Sequence, residues 1–392
     1  MANRVAIVGI GQSYFTKRRP DVNQPEMVNE AVRWALEDAQ MSMKDIEAVY
    51  CSNMDGFELG HYADHWCVDG SGAFMKPGFR VSTGGTTGGS CFNETVYGVA
   101  GGLFRTAICI GYQKQHEAHS TTAVIVAAGP PLAGGGRVQV GGAIAAFAQQ
   151  AQTYMKQSGA REEHAAMVRL KADRGACKNP YAHLKLGLKT VEEVLNSRIL
   201  IWPLRLLDYS ADSSGACAVI LAAEEEARKI TNKPVWVVDT VNIHQEGFRA
   251  GGFADEAGGG IYSQEVAATK LYKRNGITNP RKEIDMAEIY EPSTWEEMSL
   301  YEHYFWCEEN KGWTLIEKGI TEIEGEFPVN PSGGVIATNA IGASPMCRIA
   351  ECALQIRGDA GEHQVPKDVK TAVATSLGGT NWTTMVLLRK HL

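Results

Sequence analysis

The sequence predicts a mixed α/β protein whose two halves share one arrangement of strands and helices. Apolar runs of strand length alternate along the 392 residues with stretches whose apolar residues recur at helical spacing. Glycine is unusually frequent, with 42 residues that group in doublets and triplets between these segments. Such groups are typical of sharp turns and of backbone that approaches a ligand closely. The sequence shows no short-period repeat, which excludes a solenoid.

The composition is that of an ordinary globular protein. Hydrophobic residues make up 44% of the chain and charged residues 21%, which excludes a disordered, collagenous or disulfide-dense protein. The net charge of −7 opposes a general polyanion binder. Gly and Pro interrupt the longest uncharged stretches, and the N-terminus enters a strand-like run at once, so we expect neither a membrane span nor a signal peptide. We therefore expect an ordered, cytoplasmic protein.

The nine cysteines are scattered without a C-x-x-C pair, which indicates free thiols in a reducing compartment. His61, His65 and Cys67 form the densest group of candidate metal ligands. A structural zinc site needs four ligands, and no close pairing of Cys or His completes this group. We therefore predict no metal site in this chain.

The first half begins with a β-α-β unit. Residues 5–8 form an apolar strand, and Asn23 and Glu26 mark the start of a helix, because a capping side chain and a carboxylate in the first turn stabilise a helix N-terminus. Apolar residues then recur at helical spacing up to residue 39, and residues 46–51 form the next strand. This unit is a building block of parallel sheets.

The next unit contains a polar, glycine-rich turn within residues 81–91, a helix that reaches about residue 104 and a strand over residues 106–111. Residues 112–145 form a long irregular excursion, which is typical of a lid or a binding loop. The remaining predicted elements are a helix over 143–172, a turn and strand over 208–221, a strand over 235–243, helices over 266–275, 295–306 and 345–358, and strands over 284–290, 371–376 and 383–388.

Three common catalytic motifs are excluded. Gly9 and Gly11 follow the first strand, but the third glycine position of a dinucleotide-binding fingerprint holds Tyr14. The sequence contains neither a phosphate-binding P-loop nor a Gly-x-Ser-x-Gly nucleophile elbow.

The glycine-rich turn before residue 91 is the most informative segment. The first backbone N–H groups of the helix that follows it make a positive site, where a thiol would lose its proton easily and an oxyanion would be stabilised. The alternative interpretation is that the glycines only allow the helix to pack closely.

Six segments are informative as an ordered set. They are Gly84-Gly85-Thr86-Thr87-Gly88, Asp212-Ser213-Ser214-Gly215-Ala216, Glu288-Ile289-Tyr290-Glu291-Pro292-Ser293, Asn330-Pro331-Ser332-Gly333-Gly334, Asn339-Ala340-Ile341-Gly342-Ala343-Ser344 and Ser376-Leu377-Gly378-Gly379. With these segments the chain resembles, over nearly its full length, the sterol-carrier or lipid-transfer branch of the thiolase superfamily. That branch has, in the same order, Asn-Cys-Ser-Thr-Gly, Ser-Asp-Gly-Ala, Asn-Glu-Ala-Phe or His-Asp-Cys-Phe, Asn-x-x-Gly-Gly, His-Pro-Ile-Gly-Ala-Ser and Cys-x-Gly-Gly.

The resemblance implies a five-layered α-β-α-β-α fold, with a sheet in each half and a shared layer of buried helices. It divides the chain into a first half, residues 1–245, with a loop or lid region at about 112–205, and a second half, residues 246–392. It also implies coenzyme A as substrate or product and a homodimer paired through the first-half sheet. Members of this branch often require a small partner with a zinc ribbon and an oligosaccharide/oligonucleotide-binding barrel, in which the zinc would reside.

Three positions depart from the family pattern. Gly85 stands at the place of the nucleophilic cysteine, Asn339 at that of the active-site histidine and Ser376 at that of the second cysteine. None of these residues supplies the ionisable group of the family, so the acyl-cysteine route cannot be transferred directly. The nucleophile is Cys91 if the turn is extended; otherwise Cys91 lies about 600° of helical rotation away and is a buried structural cysteine.

A second interpretation needs no thiolate. Retro-aldolases that resemble this branch use tyrosine as acid or base, and Tyr290 stands where the family has an oxyanion-hole residue; otherwise it is an ordinary tyrosine at a strand end. Glu291 tunes the site or pairs structurally. Asn339 suits an oxyanion role because its amide donates without titrating, and Gly378 would offer a backbone N–H to a second oxyanion.

Coenzyme A binding needs cationic and apolar contacts for the nucleotide and donors for an enolate. The predicted contacts are Arg137, His244, Arg249 and Phe253, together with the turn at Gly85. Exposed arginines are usually only solvated, and that interpretation stays open.

The leading hypothesis is thiolytic cleavage, or the reverse Claisen condensation, of a bulky β-ketoacyl-CoA. Within the branch, the departures resemble the large subunits of 2-benzoylsuccinyl-CoA thiolases, which implies a role in anaerobic aromatic degradation. The alternatives are a partner-dependent retro-aldolase that acts on a β-hydroxyacyl-CoA and a non-catalytic subunit that binds acyl-CoA.

Overall fold

The computed structural model describes residues 3–58, 63–118, 142–245, 262–378 and 382–392. The strands of these residues are β1 (Val5–Gln12), β2 (Ala48–Ser52), β3 (Gly78–Val81), β4 (Thr106–Lys114), β5 (Ile199–Ile201), β6 (Leu204–Arg205), β7 (Ser214–Ala223), β8 (Val235–His244), β9 (Met286–Glu288), β10 (Thr371–Leu377) and β11 (Trp382–Arg389).

The α-helices of the same residues are α1 (Gln24–Ala39), α2 (Ala63–Trp66), α3 (Val68–Ser71), α4 (Thr87–Ala100), α5 (Gly142–Ser158), α6 (Glu162–Lys178), α7 (Val191–Leu195), α8 (Glu224–Ile230), α9 (Ser263–Arg274), α10 (Pro280–Glu283), α11 (Thr294–His303), α12 (Gly312–Glu317), α13 (Gly334–Ala337) and α14 (Ser344–Arg357).

Within these residues, nine strands form one mixed sheet in the order β3-β2-β4-β7-β1-β8-β11-β10-β9, and β5 and β6 form a separate small ladder. The predicted α/β class is confirmed, but the strands of the two halves are joined. Val5–Ile7 of β1 pair with Val235–Val237 of β8, so each half closes the edge of the other. An unpaired edge would expose backbone N–H and C=O groups, and this short pairing satisfies some of them.

The helices form the layers around the sheet. Helices α4 and α14 pack on each other and each contacts strands of both halves, which makes them the buried central layer. Helix α1 packs on β1 and β7 of the first half, and α9 packs on β8 and β11 of the second half. One core cluster therefore contains residues of both halves, including Cys91, Val219, Met346 and Val386.

Local sequence signals correctly predict the start and the buried face of helix α1. Asn23 accepts a hydrogen bond from the backbone N–H of Glu26, whose carboxylate accepts one from the backbone N–H of Asn23, so the predicted cap is a full capping box. The buried face of α1 is the predicted apolar stripe. The two strands of the predicted β-α-β unit lie in one sheet but are not neighbours: β4 and β7 stand between β1 and β2, and β1 pairs antiparallel with β7.

Three predicted elements have different bounds. The helix predicted over residues 143–172 is two helices, α5 and α6, because Gly159 adopts a left-handed conformation with φ +76° between them. Strand β4 continues to Lys114, and the centre of the predicted excursion, residues 119–141, lies outside the described residues. Strand β9 ends at Glu288, so Tyr290 lies on the turn that leads to α11.

The predicted boundary at residue 245 stays a prediction. Strand β8, which ends at His244, pairs with β11 over eight positions and with β1 over three. In the part of the chain that the structure describes, no helix combines the length and the apolar character that a membrane crossing requires.

Candidate active site

The turns at Gly85, Tyr290, Asn339 and Gly378 come together at the central helix layer. A Cβ atom placed on Gly85 would lie 2.4 Å from the carbonyl oxygen of Leu377 and 3.2 Å from the Cα of Gly378. A Cβ atom on Gly88, one turn into α4, would lie 2.9 Å from the carbonyl oxygen of Gly342. The start of α4 therefore contacts both the end of β10 and the turn that follows Asn339.

The space around position 85 accommodates only a glycine. Real side chains essentially never bring a Cβ within 2.4 Å of a carbonyl oxygen, so any larger residue at position 85 would displace the backbone of β10. The place where the family has a cysteine is filled here by the Leu377 carbonyl. A side-chain nucleophile has no room at this position.

Tyr290 is buried, with 4% of its surface exposed, and packs on Val335 and Leu377. Its phenolic Oη donates to Asn339 Oδ1 at 3.2 Å, and its backbone N–H donates to Thr375 Oγ1 at 3.3 Å. Burial first, and then nearby acidic groups, raises the pKa of the Tyr290 phenol well above its usual range. The hydroxyl is therefore protonated at physiological pH.

Asn339 is held in one orientation by four contacts. Its Oδ1 accepts from Tyr290 and from Ser344 Oγ at 3.1 Å, and its Nδ2 donates to Ser210 Oγ at 3.0 Å. Its backbone N–H donates to Ser213 Oγ at 3.1 Å. The amide group carries two N–H donors, and one of them has a partner among the described residues.

Comparison with known proteins supplies the context for this site. The family of thiolase C-terminal domain-like sequences matches residues 261–390. The chain is 30% identical over 392 residues to an acetyl-CoA acetyltransferase of Methanothermobacter thermautotrophicus, covering 97% of this chain and 98% of the relative. It belongs to the thiolase superfamily. This is a superfamily of acyltransferases that use coenzyme A, and the protein is an enzyme of that superfamily.

Two further similarities bear on the branch. The chain is 29% identical to the benzoylsuccinyl-CoA thiolase subunit BbsB of Thauera aromatica, over 97% of this chain and 96% of that subunit. Among solved structures it is similar to the Ltp2-ChsH2(DUF35) aldolase, with a TM-score of 0.82 at 22% identity, covering 99% of this chain and 98% of that chain. At that identity the structural likeness shows the fold.

Glu291 follows Tyr290 directly and contacts the backbone of α13. It is fully buried, and its Oε1 accepts from the backbone N–H of Ile336 on α13 at 3.2 Å. Burial and the neighbouring Glu297 raise the pKa of Glu291 well above its usual value. These contacts favour the structural interpretation of Glu291.

The surroundings of Glu291 form a buried ionic cluster. Arg348 pairs with Glu288, and Lys171 pairs with Glu297. With Glu291 the cluster holds three carboxyl groups against two cations, so one carboxyl keeps its proton most easily. Glu291 is that group, because it has no cation of its own in the described residues.

Cys91 lies in the core between the central helix and the first-half sheet. It is fully buried, its thiol faces Ser52 and Ile110, and burial together with nearby Cys109 raises its thiol pKa well above the usual value. A nucleophilic cysteine needs a lowered pKa and access to substrate. The position therefore favours the structural interpretation, because α4 begins at Thr87 and the turn is not extended.

Gly378 does not offer the N–H that was predicted for an oxyanion. Its backbone N–H donates to the carbonyl oxygen of Trp382 at 2.8 Å, within the connection between β10 and β11. Ser376, at the place of the second cysteine, pairs with Thr384 Oγ1. Both polar groups are thus used by the sheet.

The predicted coenzyme A contacts are only partly within the described residues. His244 lies exposed at the end of β8, with its ring centroid 3.7 Å from that of Trp382. Desolvation lowers the pKa of His244, so the ring is predominantly neutral at physiological pH and presents an aromatic surface. Arg137, Arg249 and Phe253 lie outside the described residues.

Across the described ranges, no group of three Cys, His, Asp or Glu side chains is arranged to hold a metal ion.

The sequence did not single out the residues that orient Asn339. Ser210 comes from the segment before β7, and Ser213 also contacts His183 Nδ1 at 2.9 Å. Ser213 and Ser344 lie inside segments that carried the family resemblance, which was the available signal. Ser210 and the buried Glu296 of α11 gave no signal in the sequence.

Proposed function

We propose that this enzyme makes or breaks the Cα–Cβ bond of an acyl-CoA through a thioester enolate, without an acyl-cysteine intermediate, and that its substrate in the cleavage direction is a β-hydroxyacyl-CoA. The observation that carries this proposal is Gly85: the nucleophile position has no space for a side chain. Among the described residues, the titratable side chain in contact with Asn339 is the phenol of Tyr290.

The proposed chemistry balances with the groups of the site. In the condensation direction the Cα carbanion of the enolate attacks a carbonyl carbon, the Cα–Cβ bond forms, and the carbonyl oxygen takes the proton of Tyr290. In the cleavage direction Tyr290 first loses its proton to solvent, and its phenolate then takes the β-hydroxyl proton while the electrons of the Cα–Cβ bond pass to the enolate. Water then protonates the enolate at Cα, and condensation runs these steps in reverse. The second amide N–H of Asn339 would stabilise the enolate oxygen.

The raised pKa of Tyr290 keeps the phenol protonated, which proton donation in the condensation direction requires. A buried neutral phenol keeps its proton until negative charge develops on an oxygen beside it. Asn339 Oδ1 accepts from the same hydroxyl, so the phenol is oriented before substrate arrives.

A second candidate is thiolysis of a bulky β-ketoacyl-CoA, such as 2-benzoylsuccinyl-CoA. The full-length similarity to BbsB favours it. This route would need the coenzyme A thiol to attack the β-ketone directly, or Cys91 to become accessible. The burial of Cys91 makes the direct attack the simpler route.

We also propose a homodimer and a small partner subunit with a zinc ribbon and an oligonucleotide-binding barrel. The similarity to an aldolase named for two components, one of them a DUF35 protein, and to BbsB, which is a subunit, supports a partner.

The test is turnover of a β-hydroxyacyl-CoA and of a β-ketoacyl-CoA with free coenzyme A, by wild type and Tyr290→Phe. We expect aldol cleavage in the wild type and a loss of about 100-fold or more in Tyr290→Phe, because a positioned acid or base contributes that much. Pretreatment with iodoacetamide should leave Cys91 unmodified, since it is buried, whereas Cys177 is exposed and Cys307 partly exposed. Mass spectrometry of the alkylated protein therefore identifies the modified thiols beside the activity assay.

Tyr112→Phe is the matched control. Tyr112 is equally buried but lies in the outer core of the first half, so removal of its hydroxyl should leave turnover intact. Thiolysis that iodoacetamide abolishes by modifying Cys91 would contradict the proposal, and so would full aldol activity in Tyr290→Phe.

A further inference from the structure

A cavity of about 730 Å³ lies next to the Tyr290 turn. Its walls come from α5, from the start of α9 and from α11 with the segment that follows it. Ser293, three residues after Tyr290, caps α11 and lines the cavity. Pro292 and Ser210 connect this wall to the site, since the Ser210 backbone N–H donates to the Pro292 carbonyl oxygen at 3.0 Å.

The cavity is acidic. Its lining includes the carboxyl groups of Glu265, Glu296, Glu302, Glu308 and Glu309. Among the described residues that line it there is no lysine or arginine. An anion in this space would be repelled by these carboxylates and would find no lysine or arginine partner among the described lining residues.

Two of these glutamates form hydrogen bonds with other groups of the protein. Glu302 accepts from Tyr154 Oη at 2.7 Å and from the backbone N–H groups of Asn310 and Gly312, both at 2.8 Å. Glu265 pairs with His303 Nδ1 at 2.9 Å. These carboxylates hold α5, α9 and α11 together, and their role is structural.

Glu296 differs from both. Only 8% of its surface is exposed, and within the described residues its Oε2 has no hydrogen-bond partner. A buried polar atom without a partner is costly unless a ligand or water satisfies it. Burial raises the pKa of Glu296 to about 8, so below that pH the carboxyl is neutral and offers one donor and one acceptor.

We propose that this cavity holds the acyl part of the substrate, and that Glu296 selects uncharged acyl groups that carry a hydroxyl or a ketone oxygen against acyl groups that carry a second carboxylate. This inference rests on the proposed function and names its substrate class. It predicts that a dicarboxylic acyl-CoA, such as a succinyl derivative, is a poor ligand.

Other titratable groups surround Glu296. Tyr209, Tyr290 and Tyr304 face it, and the pKa of each of these phenols is raised by burial, so they stay neutral near pH 8. Glu265, Glu302, Cys307 and His303 share the cavity. A substitution at Glu296 itself is therefore needed to assign a pH effect.

The experiment measures the Kd of the full-length protein for two synthetic coenzyme A thioesters of equal chain length by calorimetry, one with a terminal hydroxyl and one with a terminal carboxylate. We expect wild type to bind the hydroxyl ester about tenfold more tightly or better, because one well-placed hydrogen bond and a repelled charge are worth that much. Affinity for a matching ester with a terminal ketone, which can only accept a hydrogen bond, should fall as the pH rises through about 8, where the carboxyl ionises and loses its donor.

Two variants assign the effect. Glu296→Gln keeps a donor and an acceptor without titrating, so it should bind the hydroxyl ester within about threefold of wild type and lose the fall near pH 8. Glu296→Leu should weaken binding of that ester about tenfold. Glu192→Gln makes the same change at an exposed position of α7 outside the cavity and should leave both affinities unchanged.

Equal affinity for the two esters, binding of neither ester, or a fall near pH 8 that persists in Glu296→Gln would overturn the inference. The proposed function fails separately. If Tyr290→Phe keeps full turnover while the ester preference depends on Glu296, the aldol assignment is wrong and the selectivity of the cavity stands.

Discussion

The turn at Gly85 and the turn at Tyr290 approach the same place from opposite halves of the sheet, yet their chemistry is opposite. The first turn has no side chain, and the Leu377 carbonyl occupies the space where a side chain would begin. The second turn carries a buried phenol that is hydrogen-bonded to Asn339. Both halves have the thiolase scaffold, but of these two turns only the one in the second half carries a titratable side chain, that of Tyr290.

This difference shows that a helix N-terminus and a glycine-rich turn do not by themselves make a nucleophile site. The positive end of α4 is present, because the turn and helix form as predicted. The thiol that would use it lies on the far side of the helix, against Ser52. Such a site can stabilise an oxyanion while another group moves the proton.

Of the substitutions at the two turns, Asn339→Ala should reduce catalytic activity the most. It removes the acceptor that orients Tyr290 and the amide donor of the proposed oxyanion site, so we expect kcat/KM to fall about 100-fold, as for loss of an oxyanion-hole donor. Steady-state kinetics with a β-hydroxyacyl-CoA measures it. Asn196→Ala, at the exposed end of α7, is the control and should change nothing. Undiminished activity in Asn339→Ala would place the chemistry elsewhere.

Gly85→Cys tests whether the empty turn can regain a nucleophile. The new Cβ would collide with the Leu377 carbonyl, so we expect a loss of about 1–3 kcal/mol in the free energy of unfolding and no thiolysis. Urea unfolding and a thiolysis assay measure the two effects. Ser82→Cys, an exposed position two residues outside the turn, adds the same thiol without the collision. A stable Gly85→Cys protein with thiolase activity would show that position 85 does have room for a nucleophile.

Glu291→Gln tests whether the carboxyl group next to Tyr290 is protonated in the folded protein. The folded protein holds this carboxyl neutral well above its usual pKa of 4.5, whereas the unfolded chain releases the proton near that value. Because the unfolded state then binds fewer protons, this group makes the free energy of unfolding fall as the pH rises above about 4.5. Glu291→Gln should remove that slope, with a gain on the order of 1 kcal/mol at neutral pH.

Denaturant unfolding between acidic and neutral pH measures the slope. Glu297→Gln is the matched control, because the adjacent carboxylate pairs with Lys171 and its loss leaves a buried cation without its partner. That variant should be destabilised throughout the range. Identical pH slopes in wild type and Glu291→Gln would show that another group of the cluster holds the proton.

Most of the strands and helices followed from local sequence. The capping box at Asn23, the apolar stripe of α1 and the alternation of strands and helices are set by residues within a few positions of each other. The pairing of β1 with β8 did not follow, because it joins residues more than two hundred positions apart through backbone groups that leave no mark in the sequence. The separation of α5 from α6 at Gly159 was missed because the helical pattern continues on both sides.

The sequence by itself determined the superfamily, the scaffold and the absence of a cysteine at position 85, since these are recorded as residue types in order. Only the tertiary structure decided that Cys91 is sealed in the core, that the N–H of Gly378 is spent on Trp382, and that Tyr290 and Asn339 touch. Access, hydrogen-bond partners and burial depend on segments that are distant along the chain, and residue type alone carries no information about them.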